Sequence, residues 1–170
     1  MSTVKIIDNF LDKESFKHLQ SFLLGYDFAW HYNDFVDFRN EKTDSFMFTH
    51  TFYRWNEPCS AHYNLLEPII DKLDAYNLVR IKANLLTRAT KPKTNVYHVD
   101  EPFKYSSSSK WTTAIFYMNT NNGYTKFENG TKVNSVANRL ITFPMDMAHT
   151  GTYCTDEKTR VVINFNCCRV

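Results

Sequence analysis

The sequence predicts an α+β protein that is mainly β-structure, a β-sandwich or barrel with helices packed on its outside. Three observations support this prediction. Two stretches of helical periodicity come early in the chain, and about eight short strand-like runs follow from Val79 onward. Fourteen Phe and ten Tyr accompany only four Gly, and β-structure accommodates aromatic rings well.

Both predicted helices lie in the first half of the chain. Asp12 is a suitable N-cap for the first helix, because its short acceptor side chain can bond the first free N–H groups, and apolar residues recur at helical spacing over residues 16–23. We expect Ser60 to cap the second helix, whose apolar stripe covers residues 65–73. A short strand is expected over residues 4–8.

The strand-like runs fill the second half of the chain. They cover residues 79–87, 96–99, 112–119, 124–127, 131–136, 139–143, 148–153 and 160–167. Turn signals separate them at residues 91–93, 106–109, 121–123, 129–130 and 144. Because no repeat or linker interrupts the pattern, we expect one domain over residues 1–170, with the barrel core at about residues 79–167.

Composition narrows the function classes. The formal net charge of +2 is too small to indicate a nucleic-acid partner or an anionic membrane surface. No run approaches the roughly 20 apolar residues that span a bilayer, and the N-terminus lacks a signal-peptide pattern. We therefore expect a cytoplasmic protein with reduced thiols. The four cysteines show no metal-binding or redox spacing, and no role is assigned to Cys167 or Cys168.

A possible metal site begins with the sequence His98-Val99-Asp100. Side chains at i and i+2 of a strand point the same way, so His98 and Asp100 can bind one ion from one side. If another strand brings His149 alongside, two imidazoles and one carboxylate form the ligand set of non-haem Fe(II) oxygenases, with positions left open for reactants. Arg160 follows and can hold an acidic co-substrate. A His-x-Asp pair alone is common by chance, and a lone His149 on an apolar strand is equally compatible with a core position.

The order of these residues resembles the Fe(II)/2-oxoglutarate-dependent dioxygenases, and within them the small prolyl-4-hydroxylase-like branch. The similar segments are Tyr-His-Val-Asp, Trp-Thr-Thr-Ala-Ile-Phe-Tyr-Met-Asn, Gly-Tyr-Thr-Lys-Phe-Glu-Asn-Gly, Asn-Arg-Leu-Ile-Thr-Phe-Pro-Met-Asp-Met-Ala-His-Thr-Gly and Thr-Arg-Val-Val-Ile-Asn-Phe. They span roughly residues 79–167. The resemblance implies a double-stranded β-helix, which is a jelly-roll or cupin-like barrel.

The resemblance also implies roles for individual residues. His98, Asp100 and His149 would be the catalytic metal ligands that hold Fe(II). Arg160 would pair with the distal carboxylate of the co-substrate 2-oxoglutarate, and the hydroxyl of Tyr117 would help to bind the same carboxylate.

Three further positions would line the co-substrate pocket. Thr113 and Ile115 share a strand face with Tyr117, and Asn84 matches an asparagine on the strand before the His-x-Asp motif in related small hydroxylases. Lys158 is an alternative to Arg160 for the anion contact.

Two positions depart from the family pattern. Leu86 stands where many relatives have a co-substrate tyrosine, and Tyr124 replaces a glycine and is expected to narrow the entrance.

The implied reaction consumes 2-oxoglutarate and O2, releases succinate and CO2, and hydroxylates a C–H bond, with peptidyl proline as one candidate substrate. Ascorbate is expected to sustain activity. We expect a peptide or small-molecule partner, no nucleic acid and no membrane, while the oligomeric state is open. Two alternatives are a non-catalytic cupin-like binding module and a Zn(II) metallohydrolase that uses the same ligands.

Two loops are candidate lids over the site, at residues 26–38 and 106–109. Five aromatic residues are candidates for a substrate wall, although ordinary packing explains them equally well: Trp30, Tyr32, Phe35, Tyr53 and Trp55.

Overall fold

Two antiparallel sheets and two helices organise the chain. The computed structural model describes residues 4–36, 45–100 and 111–169. The elements are β1 (Lys5–Ile7), α1 (Lys13–Leu23), β2 (His31–Asn33), β3 (Met47–Arg54), β4 (Glu57–Pro58), α2 (Glu67–Leu73), β5 (Ala75–Thr87), β6 (Trp111–Tyr117), β7 (Tyr124–Phe127), β8 (Lys132–Asn134), β9 (Arg139–Pro144), β10 (His149–Gly151) and β11 (Thr159–Arg169).

The strands from β5 onward are divided between the two sheets. The larger sheet has the order β1-β9-β6-β11-β5-β3-β2, with β4 paired to β3, and the smaller has the order β10-β7-β8. Isolated bridges from Thr94 to Thr152 and from His98 to His149 align the segment before Asp100 with β10. This is a jelly-roll arrangement, and it confirms the mainly β prediction: each of the eight predicted runs corresponds to a strand or to this bridged segment.

Alternation along the strands of the larger sheet produces two separate cores. On β6, Ala114 and Phe116 face the helices, whereas Ile115 and Tyr117 face the smaller sheet. The rings of Phe10 and Phe116 meet edge to face at 6.0 Å. The cluster between the two sheets consists of Ile115, Tyr117, Phe127, Val133, Ile141, Phe143 and Val162. The prediction that the helices pack on the outside of the β-structure is therefore confirmed.

The first helix begins as the sequence predicts. The side chain of Asp12 accepts hydrogen bonds from the backbone N–H groups of Glu14 and Ser15, at 3.0 and 2.9 Å. Leu19 and Leu23 on its apolar face are buried in the core between the helices and the larger sheet, here called the outer core. Burial of this apolar face fixes α1 against the sheet.

The predicted cap of the second helix is wrong. A 3-10 turn, Tyr63–Leu66, precedes α2, and the helix has no side-chain cap. Ser60 instead accepts a hydrogen bond from the N–H of His62 and bonds the ring of His50 at 2.8 Å. Neither described helix combines the length and apolar character that crossing a membrane requires.

The two candidate lids can be described only in part. Residues 106–109 lie outside the described residues, as do residues 37 and 38 at the end of the other segment. Within residues 26–36, His31–Asn33 forms β2, which pairs with β3 at the edge of the larger sheet.

Candidate active site

The three predicted metal ligands come together. His98 and His149 form an antiparallel bridge, in which the backbone N–H of each donates to the carbonyl of the other at 3.0 and 2.9 Å. One ligand atom from each of His98, Asp100 and His149 lies within 4.8 Å of the others. The Nε2 atom of His149 is 4.0 Å from Oδ2 of Asp100. The bridged segment before Asp100 and the short strand β10 thus bring the three side chains together.

Backbone carbonyls orient both imidazoles. The Nδ1 atom of His98 is 3.4 Å from the carbonyl oxygen of Val96, and that of His149 is 3.1 Å from the carbonyl oxygen of Met147. Because a carbonyl only accepts, these contacts place the proton on Nδ1 and leave the Nε2 lone pair available for a metal.

Local electrostatics favour the metal-binding protonation states. Burial lowers the pKa of His149 to about 4, with His98 adding to the effect and Asp100 opposing it. Burial alone would raise the pKa of Asp100, but the fields of His149, Arg80 and His98 outweigh it and hold that pKa below its usual value. At neutral pH, His149 is therefore a neutral imidazole and Asp100 is a charged carboxylate.

Arg160 is a buried guanidinium at the start of β11. Its Nε donates to Oγ of Ser135 at 2.8 Å, and one terminal nitrogen donates to Oγ1 of Thr125 at 3.2 Å. Tyr117 lies beneath it, with the ring centre 5.7 Å from the guanidinium carbon, and donates its hydroxyl hydrogen to Thr125 at 2.7 Å. Burial lowers the pKa of Arg160, and no described residue provides a carboxylate within ion-pair distance. A buried cation without an anion partner among the described residues can bind an anionic ligand.

Two glycines make room for this guanidinium. A Cβ atom on Gly123 would lie 2.7 Å from Cδ of Arg160, and one on Gly151 would lie 3.2 Å from a terminal nitrogen. Gly151 follows His149 by two residues on β10, so both positions face the same side and are separated by about 7 Å. The guanidinium therefore lies a short distance from the metal-ligand cluster, on the same side of β10.

Two amides face the space between the sheets. Asn84 on β5 and Asn164 on β11 belong to the inner face of the larger sheet, because they alternate with Ala83 and Ile163 of the outer core. Their Oδ1 atoms are buried and have no hydrogen-bond partner within residues 4–36, 45–100 and 111–169. Buried amide oxygens are rarely left without a donor, so a polar ligand between the sheets fits both.

The other residues predicted to contact the co-substrate, Ile115, Thr113 and Lys158, have different surroundings. Ile115 packs in the cluster between the sheets, and the hydroxyl of Thr113 donates to Asp100 at 3.0 Å. Thr113 therefore contacts one of the three predicted metal ligands. Lys158 is exposed, which favours Arg160 for the anion contact.

Both departures from the family pattern have a structural outcome. Leu86 is buried in a small cluster with Met47 and Tyr153. The expectation that Tyr124 narrows the entrance is wrong: on β7 it alternates with Thr125, which faces Arg160, and the ammonium of Lys132 lies 4.9 Å from its ring centre.

Four of the five candidate wall residues have contacts of their own elsewhere, and Phe35 is 36% exposed. Trp30 and Tyr53 pack against the outer core. Tyr32 contacts the ring of Phe48 at the sheet edge, and Trp55 is exposed beside Arg54 at the β3–β4 turn.

Four residues that contact Arg160 or Asp100 were not predicted from the sequence. Ser135 and Thr125 contact the Arg160 guanidinium, while Arg80 and Asn166 contact Asp100. The alternation of β11 offers a signal for Asn166, because every second residue from Arg160 onward faces the same side.

The donor set fits one class of metal. Two imidazole nitrogens and one carboxylate oxygen, with no thiolate, suit Fe(II) and related divalent ions and leave coordination positions open.

Comparison with solved structures identifies the fold. No protein-family model matches the sequence, and no curated protein matches it significantly. The viral collagen prolyl hydroxylase of Paramecium Bursaria Chlorella virus-1, solved with 2-oxoglutarate, superposes with a TM-score of 0.61 at 13% identity, covering 98% of this chain and 96% of that one. A Trichoplax adhaerens prolyl hydroxylase, solved with a hypoxia inducible factor peptide fragment, gives 0.63 at 15% identity, covering 97% and 83%. The epimerase SnoN from nogalamycin biosynthesis gives 0.66 at 10% identity, covering 99% and 79%.

These neighbours have one fold and several chemistries. The fold of the chain is that of the 2-oxoglutarate–Fe(II) oxygenases, prolyl hydroxylases among them, which confirms the fold implied by the sequence resemblance. Because the fold supports hydroxylation and epimerisation alike, the reaction and substrate must be argued from the site.

Proposed function

We propose that the chain is an Fe(II)- and 2-oxoglutarate-dependent dioxygenase that hydroxylates a C–H bond of its substrate. One observation carries this proposal: the His98, Asp100 and His149 cluster lies near the buried Arg160 guanidinium, which has no carboxylate partner among the described residues. A metal site alone is compatible with many activities, but a nearby anion site of this kind points to an acidic co-substrate.

The residues of the chain divide the work of binding. His98, Asp100 and His149 hold the metal through two Nε2 atoms and one carboxylate oxygen. Arg160 pairs with the distal carboxylate of 2-oxoglutarate, because its planar fork binds a carboxylate through two N–H groups and stays charged when buried. Tyr117 adjoins that carboxylate and gives it a second donor when the hydroxyl turns from Thr125.

The short distance between the Arg160 guanidinium and His149 supports 2-oxoglutarate as the co-substrate. The guanidinium lies beside Gly151, about 7 Å along β10 from His149. A five-carbon diacid can bind the metal at one end and the guanidinium at the other across such a distance. The amides of Asn84 and Asn164 provide polar groups between these ends.

When bound, Fe(II) would supply the oxidative decarboxylation of 2-oxoglutarate to succinate and CO2, with one oxygen atom of O2 entering succinate and the other entering the substrate as hydroxyl. Phe143 contacts the His149 ring edge to face at 4.7 Å, so an apolar ring covers one side of this imidazole.

For the substrate, we propose a peptide or small molecule, with peptidyl proline as the first candidate. Two structures with this fold are named as prolyl hydroxylases, and one of them was solved with a peptide fragment.

Two different observations argue against the two alternative functions. A Zn(II) metallohydrolase needs no buried guanidinium near its metal. A non-catalytic binding module is favoured by a broken ligand set, whereas His98, Asp100 and His149 are all present and close together. The arrangement therefore favours an oxygenase.

Arg160→Ala, with Lys158→Ala as the matched control, tests the proposal. The wild-type protein should bind Mn(II) and then 2-oxoglutarate, and should form succinate with Fe(II), ascorbate and a peptide and metabolite panel screened for a +16 Da product. Arg160→Ala should weaken 2-oxoglutarate binding at least about 10-fold, because a buried charge-assisted pair is lost, and should leave Mn(II) affinity unchanged. The exposed Lys158 should be dispensable. Equal co-substrate affinity in wild type and Arg160→Ala would contradict the assignment.

A further inference from the structure

Three side chains from three strands surround the Asp100 carboxylate. Thr113 on β6 donates to Oδ2 at 3.0 Å, and Asn166 on β11 donates to the same oxygen at 2.9 Å. Arg80 on β5 forms an ion pair with Oδ1 at 3.3 Å. Asp100 is 5% exposed, so these donors replace most of the water that would otherwise surround the carboxylate.

The donors also bind one another. The Nε atom of Arg80 donates to Oδ1 of Asn166 at 3.2 Å, and Nδ2 of Asn166 also lies 3.0 Å from the Thr113 hydroxyl oxygen. Arg80, Asn166 and Thr113 are direct cross-strand partners on β5, β11 and β6. Because Oδ1 of Asn166 accepts from a guanidinium that can only donate, the amide has one orientation, with Nδ2 toward Asp100.

This network limits how Asp100 can bind a metal. A carboxylate offers about four lone-pair directions, and three are used by the donors. We propose that Arg80, Thr113 and Asn166 are positioning residues that hold Asp100 as a ligand through a single lone pair. This inference rests on the proposed function, because its purpose is to keep coordination positions open.

The number of open positions explains why the restraint matters. With Asp100 bound through one oxygen, His98, Asp100 and His149 would supply three ligand atoms and would leave the other coordination positions of a bound metal open for reactants. A carboxylate free to rotate and bind through both oxygens would remove one of them, so these residues protect the site for 2-oxoglutarate.

A structural role alone would have different consequences. Any buried carboxylate needs hydrogen-bond donors, and loss of a donor lowers stability whether or not a metal binds. A positioning role also changes metal affinity and the coordination spectrum. The test therefore measures stability and metal binding separately.

Thr113→Val removes one donor at nearly constant volume, and Asn166→Ala removes another. Thr142→Val is the matched control, because Thr142 is also a buried threonine, lies on the adjacent strand β9 and alternates with the inward-facing Ile141 and Phe143. Metal-free proteins are titrated with Mn(II) by electron paramagnetic resonance and with Co(II) by visible absorption, without co-substrate. Thermal unfolding is recorded in parallel.

We expect Thr113→Val and Asn166→Ala to weaken Mn(II) affinity about 10-fold and to change the Co(II) spectrum, with Thr142→Val unchanged in both. In the Mn(II)-loaded variants, 2-oxoglutarate should also bind more weakly than in wild type. If Asn166→Ala does not fold, Thr113→Val decides. Lower stability with wild-type Mn(II) affinity and Co(II) spectrum would overturn the proposal, as would a wild-type protein that binds no Mn(II).

This design separates the two proposals. A wild-type protein that binds Mn(II) but not 2-oxoglutarate would remove the proposed co-substrate and with it the oxygenase function. The Mn(II) affinity and Co(II) spectrum of Thr113→Val would still decide whether the residue positions Asp100.

Discussion

His98 and His149 are direct cross-strand partners, and each donates its backbone N–H to the carbonyl of the other. The same pairing puts their rings 4.7 Å apart, centre to centre. The backbone bridge and the side-chain cluster therefore form together, and one ion bound there joins two segments distant in sequence. Metal binding and folding should be coupled.

Divalent metal should stabilise the folded protein. An ion that binds only the folded state at 100 times its Kd contributes about 2.7 kcal/mol. For a chain of this size the expected rise in Tm is about 5–10 °C. Differential scanning fluorimetry with Mn(II), reversed by a chelator, measures the shift.

Substitution of one ligand gives the control. His149→Ala should abolish the Mn(II)-dependent rise in Tm, whereas His31→Ala, at an exposed position on β2, should retain it. A full rise in Tm in the His149→Ala protein would place the metal elsewhere.

Acid should weaken the metal-free protein through His149. Burial lowers its pKa from 6.5 to about 4, so the unfolded state binds more protons between these values and stability falls as pH falls through this window. Between pH 7.5 and pH 4.5 the loss from this residue is about 2–3 kcal/mol. Urea unfolding at several pH values with a chelator present measures it.

The matched variant for this prediction is His149→Gln, which does not titrate. Its free energy of unfolding should change less over the same pH interval. His50, whose pKa is also lowered by burial, leaves a residual slope in the variant. Equal slopes in both proteins would show that His149 is not the main titrating group.

The sequence predicted those parts of the site that depend on local periodicity and order along the chain. The i, i+2 spacing of His98 and Asp100 places both on one side of the chain, and the distant His149 and Arg160 follow in the order that the family resemblance implies. Strand existence was predictable for the same reason, because period-two alternation is local.

What surrounds these residues depends on register, which is not local. Asn166 contacts Asp100 because β11 pairs with β5 and β6 at particular positions, and a one-residue slip would turn its side chain to the outer core. Thr113 was correctly placed on the inner face, yet only the register shows that it contacts Asp100. The Ser60 cap failed because a 3-10 turn, which has a different period, precedes α2.

Alanine at Gly123 should damage the anion site selectively. The added Cβ would lie 2.7 Å from Cδ of Arg160 and 2.8 Å from the side-chain oxygen of Asn121, so the guanidinium must shift. We expect 2-oxoglutarate affinity to fall about 10-fold, equivalent to about 1.4 kcal/mol, with Mn(II) affinity unchanged, as measured by isothermal titration calorimetry.

Gly130→Ala is the control for Gly123→Ala. No atom of the described part of the chain lies within 4 Å of the added Cβ there, but the backbone has φ of +88°. The substitution should therefore cost about 1–2 kcal/mol of stability through backbone strain without affecting 2-oxoglutarate. If both alanine variants lose co-substrate affinity equally, general destabilisation is the cause.

Asn164→Leu should make the ligand-free protein more stable and the co-substrate weaker in binding. Asn164 is 8% exposed, and no described residue donates a hydrogen bond to its Oδ1. An apolar side chain of similar size therefore removes an unsatisfied amide, which costs about 1 kcal/mol or more. The same change removes a polar group from the space between the metal ligands and Arg160. We therefore expect the free energy of unfolding of the ligand-free protein to rise and the affinity for 2-oxoglutarate to fall.

Asn138→Leu separates this effect from a general loss of polar contacts. Asn138 is equally buried, but its amide donates to the carbonyl of Leu11 and accepts from the Leu11 N–H, both at 2.8 Å. Loss of these bonds, together with the strain of a leucine at the φ of +61° that Asn138 adopts, should lower stability by about 2 kcal/mol or more and leave 2-oxoglutarate affinity unchanged. Urea unfolding and calorimetric titration of both variants measure the two quantities. If Asn164→Leu instead destabilises the ligand-free protein as Asn138→Leu does, Asn164 is a structural amide, because a side chain reserved for a ligand has no bonds to lose before the ligand binds.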